Sequence, residues 1–143
     1  MATQKKVRIA RNVKPSNEPL PLEMAIAETL AAQLEMHVLL RGRNVPGGDA
    51  LLITAAGRRF RAEFKTLQSS SARAFERNVR EASRQTGKYP GIVVIDARAV
   101  GTAATDAATY IDRALGLVGP RRPRLQEVIV ITNEQIIHKR LVR

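Results

Sequence analysis

Two short runs of uninterrupted apolar residues constrain the fold of this chain more than any other feature. They are Ile-Val-Val-Ile at residues 92–95 and Val-Ile-Val-Ile at residues 128–131. A strand with one face in water alternates apolar and polar residues, whereas unbroken β-branched runs are typical of central strands that are covered on both faces. Segments with helical periodicity precede and separate the two runs. The sequence therefore predicts an α/β domain with a mixed central sheet flanked by helices.

Apolar periodicity and turn residues predict the remaining elements. Helices are expected at residues 22–35, 71–86 and 104–115, and Ser71 and Thr102 are placed to cap the second and third of them. Further strands are expected at residues 38–40, 50–54 and 59–65, with a possible last strand near residues 136–137. The predicted order is α-β-β-β-α-β-α-β.

The charge of the chain is strongly positive and unevenly distributed. There are 24 Lys and Arg against 13 Asp and Glu, a net charge of +11. Residues 1–19 form a basic arm that is expected to be flexible, residues 20–143 form one domain, and residues 119–124 form a basic loop. Such a balance favours a polyanionic partner such as nucleic acid. The alternative is that the arm and the loop only keep the surface soluble.

Several classes of protein are excluded by what the sequence lacks. With no Cys there can be no disulfide, no catalytic thiol and no Cys-type zinc site. No apolar run approaches a membrane span and no signal peptide is evident, so we expect a cytoplasmic protein without a membrane partner, compatible with delivery into a target cell. Five aromatic residues argue against an RNA-binding module built on base stacking. His37 and His138 are far apart and are expected at the surface or a sheet edge.

A few acidic residues occur where a plain scaffold has little use for them. Side chains alternate along residues 59–65, so Glu63 and Lys65 project from the same face. Hairpin pairing brings Asp49 towards them, although a slip of one residue would turn its side chain away. Two acids and a lysine suit a divalent metal held against a phosphodiester. The alternative is an exposed strand face with an ordinary ion pair.

Glu23 adds a third acid on the first helix. At about 100° per residue, its position lies inside the apolar stripe of the helix. The stripe consists of Leu22, Ile26, Leu30 and Leu34. A core-facing glutamate is costly unless it is paired, coordinated or at the open end of the stripe. Alternatively, Glu23 only complements the helix dipole in the first turn.

The second helix carries a stripe of positive charge. Four arginines fall within about 60° of one another on the helical wheel. They are Arg73, Arg77, Arg80 and Arg84. Such a stripe suits salt-dependent contacts with backbone phosphates. The alternative is a solvated face that is partly neutralised by Glu76 and Glu81 through pairs four residues apart.

These segments together resemble the C-terminal tRNA-nuclease toxin domains of contact-dependent growth inhibition proteins and related polymorphic toxins. The resemblance covers about residues 19–137. It rests on the opening helix from Glu23, on Asp-Ala-Leu-Leu from Asp49, on Arg-Ala-Glu-Phe-Lys-Thr-Leu at residues 61–67 and on Ile-Asp-Ala-Arg at residues 95–98. The helix, Asp and Glu-x-Lys pattern is also similar to the PD-(D/E)XK nuclease superfamily, which implies a restriction-endonuclease-like core.

The resemblance implies a function and a site. The catalytic residues would be Glu23, Asp49, Glu63 and Lys65, with Gln85 and Arg98 in support. The three acids would hold a divalent metal, Mg²⁺ as first choice, with Zn²⁺ or Mn²⁺ as the others. The implied activity is RNA cleavage, with tRNA favoured as substrate and a cognate immunity protein as partner. Two alternatives stay open, a DNA endonuclease of a mobile element and a non-catalytic nucleic-acid-binding or assembly protein with a degenerate site.

Overall fold

The computed structural model describes residues 9–11, 21–41, 49–85, 91–118 and 125–141. Most of the expected arm and the basic residues 119–124 lie outside these ranges. The elements in chain order are β1 (Ile9–Arg11), α1 (Pro21–Leu34), β2 (His37–Leu40), β3 (Ala50–Ile53), β4 (Arg59–Thr66), α2 (Ala72–Gln85), β5 (Gly91–Asp96), α3 (Ala104–Val118), β6 (Leu125–Ile131) and β7 (Ile136–Arg140). The predicted order of helices and strands is confirmed, including the possible last strand.

The strands form one mixed sheet in the order β1 to β7. The first strand, which lies inside the segment expected to be an arm, pairs in parallel with β2. The three central strands β4, β5 and β6 are parallel and are joined through α2 and α3, whereas β3–β4 and β6–β7 are antiparallel. The two crossovers run in the same direction across the sheet, and α2 and α3 lie on the same face.

Both faces of the sheet are packed, as the two apolar runs predicted. On one face α2 and α3 cover Val93 and Ile95 of β5 together with Val128 and Val130 of β6. On the other face the cluster that contains α1 includes the alternate residues of the same strands. All six residues of β5 are buried. Continuous β-branched runs therefore give each central strand an apolar surface on both sides.

The two predicted helix caps have different outcomes. The Ala74 amide donates to Ser71 Oγ at 3.1 Å, which confirms Ser71 as the cap of α2. The prediction that Thr102 caps α3 is wrong, because the helix begins at Ala104 and Thr102 lies one position too early. Its hydroxyl instead lies 2.7 Å from Ser70 Oγ. The Ala104 amide donates to the carboxylate of Glu134, in the β6–β7 turn, at 3.2 Å.

The hairpin between β3 and β4 turns at residues 55–57 as expected. Gly57 has a φ of +85°, a conformation that glycine adopts without strain. The Thr54 amide donates to the carbonyl of Arg58 at 2.9 Å, which closes the turn and sets where β4 starts. In the part of the chain that the structure describes, no helix is both long and apolar enough to cross a bilayer.

Candidate active site

The pairing of β3 with β4 settles the register that the sequence left open. Ala50 lies opposite Ala62, so Asp49, just before β3, is next to Glu63. The Asp49 amide donates to the carbonyl of Ala62 at 2.8 Å, and Asp49 Oδ2 accepts a hydrogen bond from the Phe64 amide at 2.9 Å. The backbone of β4 therefore holds both the main chain and the carboxylate of Asp49.

Glu63 is a buried acid beside a second acid. Only 7% of its surface is exposed, and its carboxyl group is hydrogen-bonded to the side chain of Asp49. Burial raises the pKa of Glu63 to about 8, with further contributions from the charge of Asp49 and from that hydrogen bond. At pH 7 the Glu63 carboxyl group therefore mostly retains its proton.

Lys65 follows on the same face of β4 and lies close to α2. Its Nζ atom is 4.0 Å from Oε2 of Glu81, and the Lys65 side chain is 20% exposed. The charge of Lys65 lowers the pKa of Glu63, but burial and Asp49 outweigh it. One ammonium group therefore does not neutralise the acids around it, and the salt bridge with Glu81 connects this centre to α2.

Glu23 stands in the first turn of α1 and is half-buried. Its charge raises the pKa of Glu63, as the last of the contributing causes. Leu22 is 57% exposed, so the buried stripe of α1 starts only at Ile26 and Glu23 lies at its open end. Among the described residues, no three His, Asp or Glu side chains form a group that could hold a metal ion. Asp49 and Glu63 are thus the acids that the fold brings into contact, and Glu23 acts on Glu63 through its charge.

Of the two supporting residues, the structure describes the side chain of Arg98. Arg98 donates from Nε and Nη2 to both carboxylate oxygens of Asp96, at 2.9 and 2.8 Å, and from Nη1 to Thr29 Oγ1 at 2.9 Å. Its side chain therefore joins the end of β5 to α1 rather than reaching Asp49 or Glu63. Gln85 is the last residue of α2, and its side chain lies outside the described part of the chain.

The arginine stripe of α2 is exposed and is not neutralised by the acids of its own helix. Glu76 pairs with Arg113 of α3 at 3.0 Å, and Glu81 faces Lys65. Among the described residues, no guanidinium group of the stripe forms an ion pair or a hydrogen bond. The stripe consists of Arg73, Arg77, Arg80 and Arg84, all of them exposed.

A second buried glutamate escaped the sequence analysis. Glu127, on β6, is 5% exposed, contacts Nε2 of His138 and lies 3.9 Å from Nε of Arg140. Burial raises the pKa of Glu127, and the charges of His138, Arg140 and Arg58 lower it. His138 lies on the edge strand β7, as expected, but it contacts an acid. A charged residue directly before a buried apolar run was the signal that could have revealed Glu127.

Comparisons with known proteins identify a similar fold. No known family matches the sequence, and no curated protein matches it. The structure is similar to a chain of a solved complex described as a CdiA-CT/CdiI toxin and immunity complex from Burkholderia pseudomallei. The TM-score is 0.53 and the identity 12%, and the match covers 94% of this chain and 99% of that chain. At this identity the likeness shows the fold.

Proposed function

We propose that this protein is a nuclease that hydrolyses phosphodiester bonds of RNA, with tRNA as the favoured substrate. The observation that carries the proposal is the contact between the carboxyl groups of Asp49 and Glu63, with Lys65 on the same face of β4. Placing two acids together in a buried position destabilises a fold unless a cation or a proton compensates. Ionisable groups with strongly shifted pKa values cluster at catalytic sites, so this pair of acids points to catalysis.

The acids suit a divalent cation. Carboxylate oxygens are hard ligands, and Mg²⁺ typically binds through one or two carboxylates together with phosphate oxygens of the substrate. Asp49 and Glu63 fit that pattern without a third protein ligand, and the negative charge that raises the pKa of Glu63 is the charge that a cation would offset. An all-oxygen set favours Mg²⁺ or Mn²⁺ over Zn²⁺. When bound, the ion would lower the pKa of a coordinated water and polarise the phosphate.

The remaining groups then have distinct roles. Asp49 is held in orientation by the Phe64 amide, so its carboxylate is already positioned. Glu63 would have to release its proton to serve as a ligand. Lys65 can move its ammonium group from Glu81 towards the phosphate and stabilise the charge that develops there. The arginine stripe of α2 binds the flanking phosphates without reading sequence.

The comparison supports a biological role for such an enzyme. Because the similar chain comes from a toxin and immunity complex, we propose that this protein acts as a toxin and has a cognate immunity protein as partner. Expression in bacteria is expected to stop growth, and Glu63→Gln is expected to relieve the toxicity. Coexpression of the immediately neighbouring gene, expected to encode a small acidic protein, should do the same. Full toxicity of Glu63→Gln would contradict this role of the site.

A cleavage assay tests the activity itself. Purified protein is incubated with tRNA or duplex DNA in the presence of MgCl₂, MnCl₂ or EDTA. We expect tRNA to be cut with Mg²⁺ or Mn²⁺ and not with EDTA. Glu63→Gln should abolish cleavage, whereas Asp112→Asn, which removes an exposed acid that pairs with Lys139 on another part of the surface, should retain it.

The other outcomes identify the alternatives. Cleavage of DNA alone would favour a DNA endonuclease. Binding of nucleic acid without cleavage would favour a non-catalytic protein. Equal cleavage in EDTA would contradict the use of a divalent ion and would favour attack by the RNA 2′-hydroxyl.

A further inference from the structure

A cavity lies at the end of β4 that is remote from Glu63. Its volume is about 360 Å³, and it is lined by Arg58, Arg59, Phe60 and Gln126. Arg59 precedes Glu63 by four residues, which corresponds to about 13 Å along a strand. Because side chains alternate, Arg59 projects from the same face of β4 as Glu63. Phe60 projects from the opposite face, into the cluster that contains α1, so the cavity is lined from both faces of the sheet at the end of β4.

Two local irregularities of the backbone shape the cavity. The turn at Gly57 brings the chain back so that the Arg58 amide donates to Thr54 Oγ1 at 3.1 Å. On the other side, Gly91 pairs with Leu125 and the next residue of β5 pairs with Glu127, so Gln126 is an extra residue in β6. Such bulges redirect side chains and are frequent beside functional sites. The bulge explains how Gln126 comes to line the cavity.

The cavity presents positive charge and a flat surface. The Arg58 guanidinium lies over the ring of Phe60, 5.0 Å from its centroid. Neither Arg58 nor Arg59 forms a side-chain hydrogen bond or ion pair with another described residue. The effect of Arg58 on Glu127 is electrostatic: its charge lowers the pKa of Glu127, which also lies near Arg140. Since each guanidinium carries five N–H donors, the cavity has unused capacity for an anionic ligand.

We propose that this cavity binds a nucleotide. The phosphate accepts hydrogen bonds from Arg58 and Arg59, the base stacks on the guanidinium plane of Arg58 that is supported by Phe60, and the amide of Gln126 hydrogen-bonds to the edge of the base. The identification of RNA as the source of the nucleotide rests on the proposed function, but the nucleotide chemistry of the cavity does not. Within β4, Arg59 is the residue of this site that shares the face of Glu63, about 13 Å from it along the strand.

Binding of mononucleotides tests the cavity without any cleavage. Nucleoside 5′-monophosphates, inorganic phosphate and an unphosphorylated nucleoside are titrated into the full chain by calorimetry and by amide NMR. We expect a monophosphate to bind at least about tenfold more tightly than phosphate or nucleoside, since its phosphate group and its base both contribute to binding. The largest shifts should occur at Arg58 and Gln126. Equal affinity for phosphate and nucleotide, or shifts that avoid these residues, would overturn the proposal.

Variants separate charge from stacking. Arg58→Ala should weaken monophosphate binding about tenfold. Arg58→Lys keeps the positive charge but lacks the planar guanidinium group, so its affinity should lie between those of Arg58→Ala and the wild type. Arg113→Ala, the same change on α3, is the matched control and should bind normally. Circular dichroism shows whether each variant is folded. Wild-type affinity in folded Arg58→Ala would refute the assignment.

A short oligoribonucleotide distinguishes RNA from a free nucleotide as the source of the ligand. If RNA is the ligand, it should bind more tightly than the free monophosphate and lose affinity in Arg58→Ala, and cleavage by this variant should show a raised KM with kcat nearly unchanged. Cleavage with an unaltered KM would refute the subsite and leave the nuclease proposal standing. Arg58-dependent binding of monophosphates by a protein that cleaves nothing would refute the nuclease proposal and support the cavity.

Discussion

Glu63 and Glu127 are two buried glutamates on central strands, and they differ in the charge of the residues around them. Their exposed fractions are 7% and 5%, and burial raises the pKa of both. The neighbours of Glu127 are the basic residues His138, Arg140 and Arg58, which act to lower its pKa, whereas Glu63 is next to Asp49. The first arrangement compensates a buried charge within the fold, and the second does not.

We interpret this difference as that between an acid that supports the fold and an acid of the proposed site. Buried ion pairs contribute little net stability, but removing one partner leaves an uncompensated charge. A pair of acids has the opposite property, because neutralising one of them relieves repulsion. The sequence has an acid at both positions, although a neutral residue at either one would remove the repulsion. This supports the proposal that Asp49 and Glu63 serve catalysis.

The largest expected effect is on cleavage. For the proposed nuclease, replacing Glu63 by Gln or Asp49 by Asn should each lower the rate of tRNA cleavage by about 1,000-fold, because either change would remove a carboxyl group that the proposed metal ion requires. The double variant should lose little more, since residues that act as a unit are not additive. Single-turnover rates at saturating enzyme measure this. Additive losses would mean that the two acids act independently.

Stability should respond in the opposite way at the two sites. Glu127→Ala is expected to lower the free energy of unfolding by about 3 kcal/mol, because it leaves the cations around it without their partner. Glu63→Gln should leave stability unchanged or raise it. Urea denaturation at pH 7 compares the two variants with the wild type. A larger loss in Glu63→Gln would show that the acid pair supports the fold.

Glu63 should also make the stability of the protein depend on pH. Because the folded protein raises the pKa of Glu63 from 4.5 to about 8, the protonated form is stabilised by folding. Its contribution is complete below pH 4.5 and is lost as the pH rises through 8, at up to about 1.4 kcal/mol per pH unit. In Glu63→Gln this component of the slope should vanish. Unfolding at several pH values without divalent ions measures it, and identical slopes would contradict the assignment.

The smallest effect concerns the arginine stripe of α2. Since none of its guanidinium groups pairs with a described acid, each that contacts a phosphate should add about 0.7 to the slope of log affinity against log salt for single-stranded RNA. Arg77→Ala and Arg80→Ala should each reduce the slope by that amount. Arg113→Ala, on a helix outside the stripe, should not. An unchanged slope in both stripe variants would exclude the stripe from the RNA interface.

The sequence predicted the elements well because the signals that define them are local. Alternation along β4 placed Glu63 and Lys65 on one face, and the β-branched runs of β5 and β6 predicted a sheet covered on both sides. The register of β3 against β4 could not be predicted, because either pairing satisfies the apolar pattern and only one brings Asp49 beside Glu63.

Contacts between segments that are far apart in the chain could not be predicted from the sequence. The pairing of Glu127 with His138 depends on the register of β6 and β7, and the hydrogen bond from Arg98 to Thr29 spans 69 positions. The cap of α3 comes from Glu134, thirty positions away, rather than from the nearby Thr102. Each contact is set by tertiary packing and not by local spacing.

The protonation state of Glu63 distinguishes an acid pair that binds a cation from one that does not. Carboxyl ¹³C NMR of selectively labelled protein follows its titration, and Glu63→Gln assigns the signal. We predict a pKa of about 8 without divalent ions and a clear fall when MgCl₂ is added, because a bound cation would favour the ionised form of Glu63. A pKa near 4.5, or a raised pKa that Mg²⁺ does not alter, would contradict it.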